Sequence, residues 1–216
     1  MFKGAIFDLD GVIVETVPLH FKAWKKMFSE YGRGFTFEEY KEKVDGIPRV
    51  DGARAVLKGL SYTELEEASA RKQKYYLELL EKEGVTVYSD TLGLITILKQ
   101  KGKPIAVISS SKNCFYVLEK AGIENLFDAI IGGHDLLKGK PDPDIFLIAA
   151  KRLGCKPEEC AIFEDAVLGV EAGRRGGFVT VGIDRYNNPE RLGQADLVVS
   201  DFSELDFNKL NALFNQ

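Results

Sequence analysis

The sequence predicts an α/β protein, a doubly wound parallel sheet with an α-helical domain inserted after its first strand. Short β-branched runs recur along the chain, most of them separated by stretches with helical spacing of apolar residues, an alternation that builds βαβ units and a sheet buried on both faces. The interval from about Glu15 to Val87 breaks that alternation, because it holds no convincing strand and reads as helices.

The first strand is Ala5–Phe7, inside MFKGAIFDLDGVIVET, and it ends in Asp8-Leu9-Asp10-Gly11. Helices follow at Pro18–Tyr31, Thr36–Val44, near Gly52–Lys58 and at Tyr62–Glu83. Two of them open on capping boxes, Thr36-Phe-Glu-Glu39 and Ser61-Tyr-Thr-Glu64, in which hydroxyl and carboxylate satisfy free backbone donors reciprocally. Strands then resume at Ile105–Ser109, Ala129–Ile131, Ala161–Phe163, Val179–Val181 and Leu197–Val199. The expected organisation is an α/β core of residues 1–14 and 88–216 around a helical domain of residues 15–87.

Composition narrows the function classes. The chain has 216 residues, 45% hydrophobic and 29% charged, enough to bury a sizeable core. Its 29 basic against 33 acidic side chains argue against nucleic acid, whose phosphates select strongly basic faces. No apolar run approaches the roughly 18 residues of a membrane span, and Asp8 and Asp10 break the first run as a signal peptide. A cytoplasmic monomer without membrane partners is expected. Cys114, Cys155 and Cys160 are odd in number and far from His20 and His134, so small buried thiols are expected rather than a zinc site or disulfide framework.

In parallel sheets ligands bind beyond the carboxyl ends of the strands, so the polar residues there carry the chemistry. Asp8 and Asp10, two apart in extended chain, project to one side, which suits a hard cation or a nucleophile paired with an acid/base group; a solvated loop or a helix cap would use them equally well. A calcium loop is excluded, since Val12 and Ile13 stand where it needs an acid or Asn and a glycine. Ser109, followed by Ser110, Ser111, Lys112 and Asn113, offers either a phosphate cradle or a serine N-cap.

Lys140 lies in KGKPDPDIF, its path restricted by Gly139 and Pro141, with Pro141 and Asp142 opening a helix and Pro143 in its first turn. No nucleotide P-loop is present there, because Gly133 lies one residue too far upstream and proline follows the lysine. Glu164 and Asp165 end CAIFED and suit a divalent cation, or Asp165 caps the helix that follows. Gly169, Gly173 and Gly176 fall inside that helix and form no dinucleotide fingerprint. An acidic pair, a hydroxyl, a lysine and a second acidic pair at successive strand ends form the pattern of a phosphoryl-transfer site, with Mg2+ between the acids.

DLDGVIVET, VISSSKN, GKPDPDIF and IFEDAVLGVEAG together resemble the four motifs of the haloacid dehalogenase superfamily, and the helical insertion is similar to its small cap. The resemblance implies a Rossmann-like doubly wound parallel sheet with an inserted α-helical cap domain. It implies Asp8 as the nucleophile that becomes an aspartyl-phosphate and Asp10 as the general acid/base. Ser109 and Lys140 would hold the phosphoryl group, and Asp8, Asp10 through its carbonyl, Glu164 and Asp165 would hold Mg2+.

Within the superfamily, PLHFKAWK, DGIPRVDG, ARKQKYY and Ser111-Lys112-Asn113 resemble segments of the β-phosphoglucomutase-like subfamily. That resemblance implies substrate-binding roles for Thr16, His20, Trp24, Gly46, Arg49, Lys72, Ser111, Lys112 and Asn113. The implied partner is a small phosphorylated sugar, and the implied reaction interconverts β-glucose 1-phosphate and glucose 6-phosphate through a bisphosphate. Arg49 offers a fork for a second phosphate, and His20, four residues before Trp24, could point at Asp10.

One departure bears on the acceptor: Asp45 stands where the mutase pattern carries a lysine, and Pro48 replaces a small polar residue. It keeps a sugar-phosphate phosphatase as the alternative. A phospho-receiver signalling module is the remote alternative; it phosphorylates a middle-strand aspartate and inserts no cap. The cap is expected to swing on segments near Glu15–Val17 and Val87–Asp90.

Overall fold

Six parallel strands carry the core of the computed structural model, which describes residues 1–135 and 138–215. The strands are β1 (Gly4–Asp8), β2 (Ile105–Ile108), β3 (Ala129–Ile131), β4 (Cys160–Glu164), β5 (Val179–Ile183) and β6 (Leu197–Val199), in the order β3-β2-β1-β4-β5-β6. Every neighbouring pair is parallel, with Phe7 opposite Val107 on one side and Phe163 on the other. β1, β2 and β4 are buried along their whole length, which is why these runs are apolar throughout instead of alternating.

Helices cover both faces. Phe7, Val107, Phe163 and Val181 point to one apolar cluster, and Ile6, Ala106, Ile108 and Ile162 to the other. The Phe7 and Phe163 rings stack with centroids 4.2 Å apart, which locks the two strands that end in the acidic pairs. The strand order reverses at β1, so the chain leaves the sheet in opposite directions beside Asp8, and a crevice opens there.

The inserted domain consists of α1 (Val17–Ser29), α2 (Phe37–Lys43), α3 (Arg49–Val56) and α4 (Tyr62–Glu83) around its own cluster of Trp24, Phe28, Tyr40, Leu65 and Ala68. Both capping boxes form, at Thr36 with Glu39 and at Ser61 with Glu64. The two chain crossings into this domain lie side by side: Glu15 N donates to Thr86 O, Tyr88 N donates to Ile13 O, and Val14 bridges Val87. After them run α5 (Ser89–Gln100), α6 (Cys114–Ala121), α7 (Asp144–Arg152), α8 (Val167–Arg175) and α9 (Phe207–Ala212).

Three local expectations shift. α3 starts at Arg49 rather than near Gly52, because Pro48 as N-cap (φ −58°) sets up the first turn. α7 starts at Asp144 with Pro143 as its N-cap, one step later than expected, and the Asp142 carboxylate accepts the Asp144 N–H. α8 has Ala166 at its N-cap with no side-chain cap, so Asp165 is free for another partner. Cys114 and Cys160 are buried thiols and Cys155 is half-buried. Among the described residues no helix is long and apolar enough to cross a membrane.

Candidate active site

β1 delivers Asp8 and Asp10 to the crevice, and their carboxylates have different surroundings. Asp8 accepts the Lys140 ammonium at 2.6 Å through Oδ1 and the Asp10 N–H at 3.0 Å through Oδ2. Burial pushes its pKa up to about 7 against the pull of Lys140, so the carboxylate is poised near neutrality rather than inertly ionised. Asp10 accepts Ser109 Oγ at 3.0 Å, the Thr16 hydroxyl, and the His20 ring, whose Nε2 lies 3.2 Å away. Burial disfavours its charged form as well, but His20 and the donors from Thr16 and Ser109 outweigh this and hold the pKa down at about 2.

His20 takes its tautomer from its partners. Lys72 Nζ stands 2.7 Å from Nδ1, and an ammonium only donates, so with Lys72 charged Nδ1 accepts and Nε2–H is left to donate to Asp10. Burial first, and then the Lys72 charge, lower the His20 pKa, which matches a neutral ring. Lys72 is itself lowered to about 7, by burial and by the Arg49 charge. The ring of Tyr76 stacks on His20 with centroids 4.1 Å apart and fixes the imidazole plane.

Ser109 is no helix cap: α6 begins at Cys114 with Asn113 at its N-cap, and Ser109 Oγ accepts the Ser111 N–H while donating to Asp10. Lys140 is 4% exposed and reaches both Asp8 and Glu164, whose charges hold its pKa up against burial. Glu164 is fully buried, with Oε1 on Lys140 and Oε2 accepting the Ala166 N–H. Asp165 Oδ2 takes the Lys41 ammonium at 2.9 Å.

Asp8, Asp10, His20, Trp24, Gly46, Arg49, Lys72, Ser109, Ser111, Glu164 and Asp165 line one cavity of about 50 Å³ between cap and core. Cavities that hold drug-sized ligands run to roughly 300–1,000 Å³, so in this structure the cap is closed down on the core over the two acidic strand ends. Three further contacts close it: Ser110 Oγ donates to Gly46 O at 2.7 Å, Gln73 and Asn113 exchange amide hydrogen bonds, and Pro48 packs against Gly139.

Thr16, Lys140, Lys112 and Asn113 stand outside the lining. Thr16 is fully buried and holds Asp10, Lys140 sits behind Asp8, Lys112 is exposed, and Asn113 is occupied by Gln73. Lys41, Tyr40 and Gln73 were missed by sequence reasoning. Lys41 had one signal, since it sits on the expected Thr36–Val44 helix and precedes Asp45, just past that helix's end, by the four-residue spacing of a helical ion pair.

A metal ion meets a suitable donor set here. Burial raises Asp8, Glu164 and Asp165 to about 7 each against the pull of their lysine partners, and hard oxygen donors suit Mg2+. Lys140 and Lys41 take part of the carboxylates' charge, and among the described residues no three acidic, His or Cys side chains are already arranged to hold an ion.

A family model described as haloacid dehalogenase-like hydrolase matches residues 2–177. The chain is 36% identical over 221 residues to the β-phosphoglucomutase of Bacillus subtilis, covering 99% of this chain and 96% of that protein. It is 31% identical to the phosphorylated carbohydrates phosphatase of Thermotoga maritima, over 81% of this chain and 82% of that one. A crystal structure of β-phosphoglucomutase from Clostridium difficile superposes with a TM-score of 0.89 at 30% identity, over 100% of this chain and 98% of that chain.

Proposed function

The chain belongs to the haloacid dehalogenase-like hydrolases, and on that premise we propose that it transfers phosphoryl groups of small sugar phosphates through an aspartyl-phosphate on Asp8, as a β-phosphoglucomutase-like mutase. The observation that carries this reading is the pairing of Asp8 with Lys140, beside an Asp10 that the cap residue His20 reaches across the cleft. Lys140 screens the negative charge of Asp8, so an anionic phosphoryl group can approach it.

In the first half-reaction an Asp8 oxygen attacks phosphorus, the bond to the sugar oxygen breaks, and Asp10 gives that oxygen its proton. In the second, a sugar hydroxyl passes its proton to Asp10 and attacks phosphorus, which releases Asp8. The closed structure holds Asp10 as a hydrogen-bonded carboxylate, the base needed for the second half. Lifting the cap withdraws His20, the donor on α1, and so eases the protonation needed for the first.

Asp8, the Asp10 carbonyl, Glu164 and Asp165 are the residues that would hold Mg2+, and the ion would supply charge neutralisation at the phosphoryl oxygens. Arg49 and Lys72 line the cap side of the cavity and suit the second, non-reacting phosphate. Closure to about 50 Å³ supports a mutase, since excluding water lets the aspartyl-phosphate wait for a sugar.

The phosphatase reading rests on Asp45, which brings a carboxylate into the lining where the mutase pattern has a cation. The test is to incubate β-glucose 1-phosphate with Mg2+, with and without glucose 1,6-bisphosphate, and follow glucose 6-phosphate and free phosphate. Bisphosphate-dependent glucose 6-phosphate supports the mutase, and free phosphate alone rejects it for the phosphatase. Under either reading Asp8→Ala abolishes turnover; unchanged activity would overturn the nucleophile.

A further inference from the structure

The edge of the cap under α2 meets the core in a charged triad, of which the chemistry proposed at Asp8 uses only Asp165. Lys41 Nζ is 2.9 Å from Asp165 Oδ2 on the core and also pairs with Asp45, four residues on in the turn that follows α2. The Lys41, Asp45 and Asp165 side chains are only 7%, 6% and 4% exposed, so their attraction is little screened by solvent or salt.

Apolar packing on this edge is thin. A cavity of about 650 Å³ separates α2 from the core, bordered by Phe37, Lys41, Val167, Leu168, Tyr186 and Arg191. Across it α2 meets the core at the Phe37 and Tyr186 rings, 5.2 Å between centroids, with the Lys41 ammonium 5.2 Å from the Tyr186 ring. Asp45 alone would be a hostile charge beside a phosphate site; with Lys41 it is the arm that aims an ammonium at the core.

We propose that Lys41 is a positioning residue: steered by Asp45, it crosses from cap to core, fixes one oxygen of Asp165 and latches this edge of the closed cap. The proposal deepens the aspartyl-phosphate reading and rests on Asp165 belonging to that site. A latched cap keeps water from the phosphorylated aspartate, so the latch sets how much phosphoryl group reaches a sugar and how much reaches water.

Hydrogen exchange of the full-length protein without substrate is the direct test. In Lys41→Met, exchange in α2 and in residues 184–188 accelerates at least about tenfold, because removing one member of a buried ion pair strands the others. Lys41→Arg keeps the cation and returns exchange to within about threefold of the parent. Asp45→Asn leaves Lys41 in place but unaimed, and falls between. Exchange in β1 and β4 stays unchanged throughout.

Unchanged α2 exchange in Lys41→Met overturns the latch. If that variant does not fold by circular dichroism, unchanged exchange in Asp45→Asn overturns it instead. With substrate, the ratio of free phosphate to sugar phosphate product rises in Lys41→Met and recovers in Lys41→Arg; a ratio that stays at the parent value in both rejects the coupling to chemistry. Altered exchange in a protein whose parent shows no phosphotransfer would remove the function proposed above and leave the latch standing.

Discussion

The Nε2 of His20, on the cap, lies 3.2 Å from Oδ1 of Asp10, on the core, so Asp10, the proposed acid/base, has its full set of side-chain partners only when the two domains meet. His20→Ala removes the ring that does most to hold Asp10 down at about 2. The Asp10 pKa then rises toward the ordinary carboxylate range, and the acid limb of the kcat profile moves to higher pH. Loss of such a supporting hydrogen bond costs on the order of tenfold to a hundredfold in kcat. An acid limb that stays in place would show that Thr16 and Ser109 suffice.

Lys72 sets a second pH dependence, in stability. Burial, with Arg49 beside it, lowers its pKa from 10.5 to about 7. Below pH 7 the folded and unfolded chains both carry the charge, and the cost of burying it is fully present. Between pH 7 and 10.5 the native lysine is neutral while the unfolded one is still charged, so that cost fades as pH rises. Lys72→Met therefore stabilises the protein by on the order of a few kcal/mol at pH 6, and by much less at pH 10. Melting curves at the two pH values check this, and an equal gain at both would refute the assignment. The same variant binds sugar phosphates more weakly, because it loses a cation from the cavity wall.

The parts of this molecule legible in its sequence are those governed by local rules. Uniformly apolar runs gave the strands, Thr36-x-x-Glu39 and Ser61-x-x-Glu64 gave helix starts, and strand-end position gave Asp8, Ser109 and Asp165. Partners brought in from distant sequence were not legible. Lys41 reaches Asp165 across 124 residues, and Gln73 reaches Asn113 across 40. For Lys112 and Asn113, named as substrate-binding from their place in a motif, the structure shows one exposed to solvent and the other bonded to Gln73, arrangements the motif did not foretell. Asp45 was legible as a departure; its meaning depended on a lysine one turn away.

Gly139 is another place where the cap touches the core. A Cβ there would stand 2.4 Å from Pro48 Cδ, inside any real contact distance, and the proline ring is rigid. Gly139→Ala therefore props the cap open while leaving the core sheet untouched. The expected result is a fall in kcat/KM of at least about tenfold, with a melting temperature within a few degrees of the parent, as for a substitution that loses closure geometry rather than folding energy. Small-angle scattering should show a larger radius of gyration. Parent-like scattering and kinetics would mean that the loop carrying Gly139 yields instead of the cap.

Mg2+ should stabilise the folded chain, and by more at high pH. Asp8, Glu164 and Asp165 are each raised to about 7 by burial, so below that pH protons occupy the carboxylates and above it they are charged and crowded. The cation competes with protons for these groups, so its effect grows as pH climbs through 7. A site filled at a hundred times its dissociation constant adds about 2.7 kcal/mol. Melting curves with Mg2+ at pH 8 should therefore rise further than at pH 6, against a KCl control of equal ionic strength. Asp165→Asn removes one ligand and should abolish most of the increment. If the increment is the same at both pH values, or survives in Asp165→Asn, the ion is bound elsewhere and the acidic ends of β1 and β4 do not hold it.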